Sequence, residues 1–189
     1  MTSPLPTIGL IAGPATGNEY EAIRQSLEYF GFSVLLKFIG RPNDFVELMR
    51  GENPIWNTLP WWICSVHGEE GCFVLPTLAD DVYTATEPRT GMGAAEILQL
   101  ASIPGISILN TGCTLGHLQL AQAFLQKGVQ AYIGTPAYVE GYAALLFVTR
   151  FFYELAKGGD PLIAFEKAQR QDEETGLFCW HGRQSFSHF

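Results

Sequence analysis

Ile106-Ser107-Ile108-Leu109-Asn110-Thr111-Gly112-Cys113-Thr114-Leu115-Gly116 reads as a buried strand that runs into a small-residue turn carrying a thiol. Ile106 to Leu109 is short and mostly apolar, which suits a parallel strand covered on both faces. Asn110, Thr111 and Gly112 end it. A helix-length apolar pattern follows from Leu115 to Leu125. Cys113 is therefore expected between the carboxyl end of a strand and the amino end of a helix. In open α/β sheets that edge is where ligands and chemistry collect. A helix amino terminus also favours a thiolate over a thiol.

Trp61-Trp62-Ile63-Cys64-Ser65-Val66-His67-Gly68 has the same grammar, with His67 and a glycine at the exit of an apolar strand. If the two strands are parallel neighbours, His67 and Cys113 leave the sheet at one edge. A thiol beside an imidazole is the minimum set for nucleophilic catalysis: the imidazole takes the proton and the thiolate attacks. Taken singly, each residue has a plainer reading. Free cysteine is among the most buried residue types, and a lone histidine is more often structural than a base. The pair is stronger than either member. Both follow predicted strands, and the chain between them holds one helix, which allows a right-handed crossover between neighbours.

The 189 residues suit one domain, 1–189, large enough to bury a sizeable core. Hydrophobic residues make up 47% and charged residues 16%, a globular balance. No apolar run reaches the roughly 18 residues that a membrane span needs. Met1 to Pro6 lacks a basic region and a long apolar segment, so no secretory signal is expected. The expectation is a soluble, cytoplasmic protein with no membrane partner. A net charge of -8 without a basic stripe argues against a nucleic-acid partner. In a cytosolic chain Cys64, Cys72, Cys113 and Cys179 are expected to be free thiols rather than two disulfides.

Around the two anchors, strands are expected at Thr7–Ala12, Ser33–Ile39 and Ala131–Ile133. Helices are expected at Glu19–Phe30, Asp44–Arg50, Ala94–Leu100, Leu115–Gln126, Gly141–Lys157 and from Asp160 to about Gln171. Asn18 is the expected cap of the first helix and Gly31 its stop. Asp160-Pro161 is a cap followed by a proline at the first helical position. Cys72 to Leu75 fits a short hairpin strand, and Leu177 to Phe189 an edge strand plus a tail. Ala79 to Gly91 reads as a surface loop long enough to be a functional candidate. Strand and helix alternate almost throughout, the pattern of a three-layer α/β sandwich with a mostly parallel sheet.

His67-Gly68 and Asn110 to Gly116, each after an apolar strand, resemble the cysteine peptidase clan of caspases, gingipains, clostripain, separase and the CHAT domains, and most closely the CHAT group. The resemblance continues in Met92-Gly93-Ala94-Ala95-Glu96-Ile97, Ala121 to Leu125, Gly128 to Gly134, Phe151 to Gly158 and Pro161 to Gln169, in the family's order. It covers roughly Trp61 to Gln169. It implies a caspase-like fold with strand order about 2-1-3-4-5. Residues 1–60 would supply amino-terminal strands and helices, 61–171 the part bearing the dyad, and 172–189 a tail. His67 would be the general base and Cys113 the nucleophile. The backbone N–H groups of Gly68 and Cys113 would form the oxyanion hole. The reaction implied is hydrolysis of a peptide or protein substrate through a thioester, without cofactor or metal. Pairing of sheet edges into a homodimer is also implied. Two departures concern substrate recognition. The family's turn is of the Ser-Ala-Cys-Glu-Thr-Gly type, and here it is Thr111-Gly112-Cys113-Thr114-Leu115-Gly116. A tryptophan-containing turn is replaced by Thr135-Pro136-Ala137-Tyr138.

Family members that cut after Arg or Lys hold the cation with a carboxylate. Glu69, Glu70, Asp80, Asp81 and Glu140 are the candidates here, although any one of them alone is most simply a solvated surface charge. The acidic balance favours a basic side chain in the substrate. Arg89, between the two dyad residues, marks a site for self-cleavage, as in some relatives. Cys64-x-x-His67 with Cys179-x-His181 has zinc-ligand residue types, but residues three apart on a strand face opposite ways. Gly9, Gly13 and Gly17 lack both the dinucleotide fingerprint and a P-loop lysine. Two other functions share these residues: a non-catalytic caspase-like module that binds a partner or a small molecule, and an amidase or other acyl-transfer enzyme with the same dyad.

Overall fold

The computed structural model describes residues 4–14, 16–89 and 91–182. Short apolar segments form its central sheet: β1 (Thr7–Ala12), β2 (Ser33–Phe38), β3 (Trp61–Ser65), β6 (Ser107–Asn110), β7 (Ala131–Gly134) and β8 (Cys179–Gly182). A separate hairpin, β4 (Gly68–Glu69) with β5 (Cys72–Phe73), follows β3 directly. The sheet order is β2-β1-β3-β6-β7-β8. All pairings are parallel except β7 with β8. The five parallel strands thus take the order 2-1-3-4-5 when counted along the chain, and the carboxyl-terminal segment adds an antiparallel edge strand. The rest of the expected tail, 183–189, lies outside the described residues.

Every strand of the sheet centre is apolar on both sides because helices cover both faces. On one face Trp62, Cys64, Ile108 and Tyr132 pack against α2 (Pro42–Met49), α3 (Ala94–Leu100) and α4 (Leu118–Gln126). On the other, Trp61, Ile63, Leu109 and Ile133 pack against α1 (Glu19–Tyr29), α5 (Gly141–Ala156) and α6 (Pro161–Gln169). Successive residues of β3 alternate between the two cores, as the two-residue period of a strand requires. Glu154 of α5 is buried and bonds Arg150 and Lys167, each at 2.7 Å, which ties α5 to α6. No helix among the described residues is long and apolar enough to cross a membrane.

Two helix starts and one helix cap differ from expectation. Asn18 precedes α1 but makes no side-chain cap. Helix α2 begins at Pro42, ahead of Asp44. The Asp44 carboxylate accepts from the N–H groups of Gly40 (2.9 Å) and Arg41 (3.0 Å), and Pro42 needs no donor at the first position. Helix α4 begins at Leu118 rather than Leu115, because the preceding turn is not helical: Thr114 has φ +59 and His117 has ψ 135. Thr114 N–H donates to Ala137 O (3.1 Å) and Gly116 N–H to Thr135 O (2.8 Å). Those bonds lash the turn to the loop after β7. Asp160 caps α6 as expected, accepting from Leu162 and Ile163.

Candidate active site

Strands β3 and β6 are parallel neighbours, with Cys64 opposite Asn110 at the last paired position. His67 and Cys113 each lie three residues beyond that pair, past the carboxyl ends of β3 and β6. Thr111 N–H donates to Cys64 O at 3.0 Å and carries the ladder one residue further. His67 is exposed and Cys113 half-buried.

The two exits touch through their backbones. A Cβ on Gly68 would run into the Cys113 carbonyl oxygen, and one on Gly112 into the Val66 carbonyl oxygen. The Gly112 Cβ position is also 3.0 Å from the Gly68 nitrogen. Glycine is required at both positions for approach. Val74 N–H donates to His67 O at 2.9 Å, which makes His67 and Val74 a hydrogen-bonded pair of the hairpin. The next pair, Gly68 with Phe73, is then of the non-bonded kind. The Gly68 N–H is therefore not used by the hairpin and faces the Gly112–Cys113 turn.

Above the turn lies the loop between β7 and α5. Cys113 Sγ is 3.6 Å from Val139 O, a weak thiol donor contact. Tyr138 OH donates to Glu69 Oε1 at 2.8 Å and bridges that loop to the hairpin. The Tyr138 hydroxyl is held above its ordinary pKa, first by this bond, then by burial and by the charges of Glu69, Glu70 and Cys113. Thr114, immediately after Cys113, has φ +59, which for a β-branched residue is strained by about 1–2 kcal/mol. Its Oγ1 accepts from Gly71 N–H at 3.1 Å, so the strained turn and the hairpin turn are joined.

One expectation about the thiol is corrected. Cys113 does not stand at a helix amino end: α4 starts five residues later, beyond the turn bonded to the 135–137 segment. The helix dipole therefore acts within α4's own first turn, away from the sulfur. All four cysteines are free. Burial pushes the Cys64 thiol up to about 12. Burial also raises Cys179, and burial with the charges of Glu96 and Glu70 raises Cys72.

The five carboxylates singled out in the sequence do not form one cluster. Glu69 and Glu70 sit on the hairpin beside Gly68 and line a cleft of about 350 Å³ with Cys72 to Thr77, Pro88, Arg89 and Gly91. Asp80 is ion-paired with Arg89 at 2.7 Å, and Arg89 also lies over the Tyr83 ring at 4.5 Å. Asp81 is exposed on the same loop. Glu140 precedes α5, where its N–H donates to Glu174 Oε2 at 2.7 Å. Among the described residues no group of three or more His, Cys, Asp or Glu side chains could hold a metal ion.

Two carboxylates escaped the sequence reading. Glu19 Oε1 accepts from Ser65 Oγ at 2.7 Å and from Thr111 Oγ1 at 2.6 Å, directly beneath the rim. Glu87, inside the supposed surface loop, is buried and bonded to Arg41. Nothing local in the sequence announces either contact, because the partners are 46 or more residues away. Compared with known proteins, the chain matches no family model and no curated protein.

Proposed function

We propose that the chain is a caspase-like cysteine peptidase that hydrolyses peptide bonds through His67 and Cys113. One observation supports the reading: β3 and β6 are parallel neighbours with Cys64 opposite Asn110, and His67 and Cys113 each follow three residues later. His67 takes the Cys113 proton, and the sulfur attacks the substrate carbonyl. The oxyanion forms beside the N–H groups of Gly68 and Cys113, where two glycines permit close approach. The amine leaves with the proton from His67, a thioester remains, and water ends the cycle. Strain at Thr114 supports the site, since backbone strain collects at functional turns. The strand order and the two helical layers fit the caspase-like fold. Glu69 and Glu70 beside the cleft favour a basic side chain in the peptide. Four free thiols fit a cytoplasmic setting. The outermost position of β8 offers an edge for a homodimer. Self-cleavage after Arg89 would first have to break its ion pair with Asp80.

The test is labelling with a thiol-directed peptidyl electrophile, located by peptide mass spectrometry. Cys113 is expected to react ahead of Cys64 and Cys179, and His67→Ala to slow it by about 10²-fold or more. Uniform labelling, indifferent to His67→Ala, would remove the peptidase reading. It would favour a binding module, for which the Tyr138–Glu69 bridge beside the thiol is the supporting observation.

A further inference from the structure

Glu19 is the first residue of α1, and its side chain turns under the rim of the sheet. Ser65 and Thr111 follow the paired residues Cys64 and Asn110, so they stand opposite each other. Each lies two residues before a member of the dyad, Ser65 before His67 and Thr111 before Cys113. Ile63 and Leu109, two residues earlier again, face the core under α1 and α5, and on an extended chain Ser65 and Thr111 face the same way. There both hydroxyls meet one oxygen, Oε1 of Glu19, at 2.7 and 2.6 Å. Ser65 is fully buried and Thr111 nearly so. The other oxygen, Oε2, lies 3.6 Å from the place a Cβ would take on Gly141, the first residue of α5. One carboxylate thus joins the exits of two strands and lies against the starts of two helices.

We propose that Glu19 is a positioning residue, whose shared oxygen locks the exits of β3 and β6 at one height so that His67 meets Cys113. The proposal rests on the dyad reading above. Its physical ground is the choice of groups. Two opposed buried side chains are held together at least as well by an apolar pair, which needs no partner. A hydroxyl pair with a common acceptor adds what an apolar pair lacks, a short and directional restraint on how the strands slide. Removing the acceptor frees both exits at once, although Thr111 Oγ1 keeps a longer contact of 3.4 Å to Cys64 O. A displacement of about 1 Å between reacting groups slows a reaction by up to about 10²-fold.

The experiment measures the rate of Cys113 alkylation by iodoacetamide in the full chain, well below each variant's Tm. Glu19→Ala is expected to slow it by roughly 10- to 100-fold. Glu19→Gln, whose amide oxygen still accepts, is expected to restore most of the rate. Ser65→Ala with Thr111→Val should match Glu19→Ala, and adding Glu19→Ala to that pair should change nothing further. This pair also supplies the answer if Glu19→Ala does not fold. A lowered Tm with the wild-type alkylation rate makes Glu19 merely structural and overturns the proposal, as do losses that multiply or a Glu19→Gln rate no better than that of Glu19→Ala. Wild-type Cys113 reacting no faster than Cys179 would instead sink the dyad reading, and this proposal with it.

Discussion

Gly68 and Gly112 do at the residue scale what no other side chain permits. Neither has positive φ, so their value is space. Gly17 is the opposite case, with φ +58 and nothing within 4 Å of a built Cβ. Gly17→Ala is expected to cost about 1 kcal/mol, the strain of one left-handed residue. Gly68→Ala must move the hairpin off the Cys113 turn and is expected to cost about 1–3 kcal/mol or more. It should also remove the selective labelling of Cys113, whereas Gly17→Ala should leave the labelling unchanged. Urea denaturation and peptide mapping measure the two effects, and equal stability losses would contradict this division. That His67 and Cys113 lie just past the ends of two parallel strands was legible in the sequence, because the end of an apolar run is a local signal. Glu19 was not legible, since its hydroxyl partners are 46 and 92 residues away.

Among the elements, the 79–91 segment departs furthest from its sequence reading. Its described residues hold no helix or strand, as expected of a loop, but it is clamped. Glu87 accepts from Arg41 Nε (2.9 Å) and Nη2 (2.5 Å), from Asn43 N–H (3.0 Å) and from Thr84 N–H (3.2 Å). The hydrogen bonds from Arg41 lead in holding its carboxyl down, at about 2 against an ordinary 4.5. A depressed carboxyl stabilises the fold fully above its unfolded value, and that contribution drains away as pH falls from about 4.5 toward 2. Protection against hydrogen exchange, taken relative to the intrinsic amide rate at each pH, should therefore fall in residues 78–89 across that window before it falls in α5. Glu87→Gln should show low protection there already at pH 7, with little further change down to pH 3. Wild-type protection that is flat through the window would contradict the clamp. Helix and strand identities followed from period and punctuation. The starts of α2 and α4 did not, because they are set by contacts and backbone angles just outside each helix: Asp44 caps the Gly40 and Arg41 N–H groups ahead of Pro42, and Thr114 with φ +59 and His117 with ψ 135 hold off α4.

At the scale of the whole molecule the sheet separates two cores, and the carboxyl-terminal segment closes only one of them. Phe178, buried just before β8, stacks on Phe147 of α5 with centroids 4.1 Å apart. Its carbonyl accepts from Gln169 Nε2 at 2.7 Å, which ties the strand to the end of α6. The sequence hinted at an edge strand there but gave no alternation to place it, since Cys179–Gly182 pairs with β7 on one side only. Phe178→Ala leaves a ring-sized gap between α5 and α6, and it is expected to cost about 3–5 kcal/mol. The loss should be local in its first effect. Without the ring, β8 rests on its short ladder to β7, the Gln169 bond and the contacts of Trp180 with Trp61 and Phe165, so it should open more readily than the core across the sheet. Titration with a thiol reagent would then find Cys179 reacting quickly in the variant and Cys64, fully enclosed on the opposite face, still protected. Simultaneous exposure of both thiols would mean instead that the two cores open as one unit, and that β8 is integral to the sheet whose neighbouring strands β3 and β6 lead to His67 and Cys113.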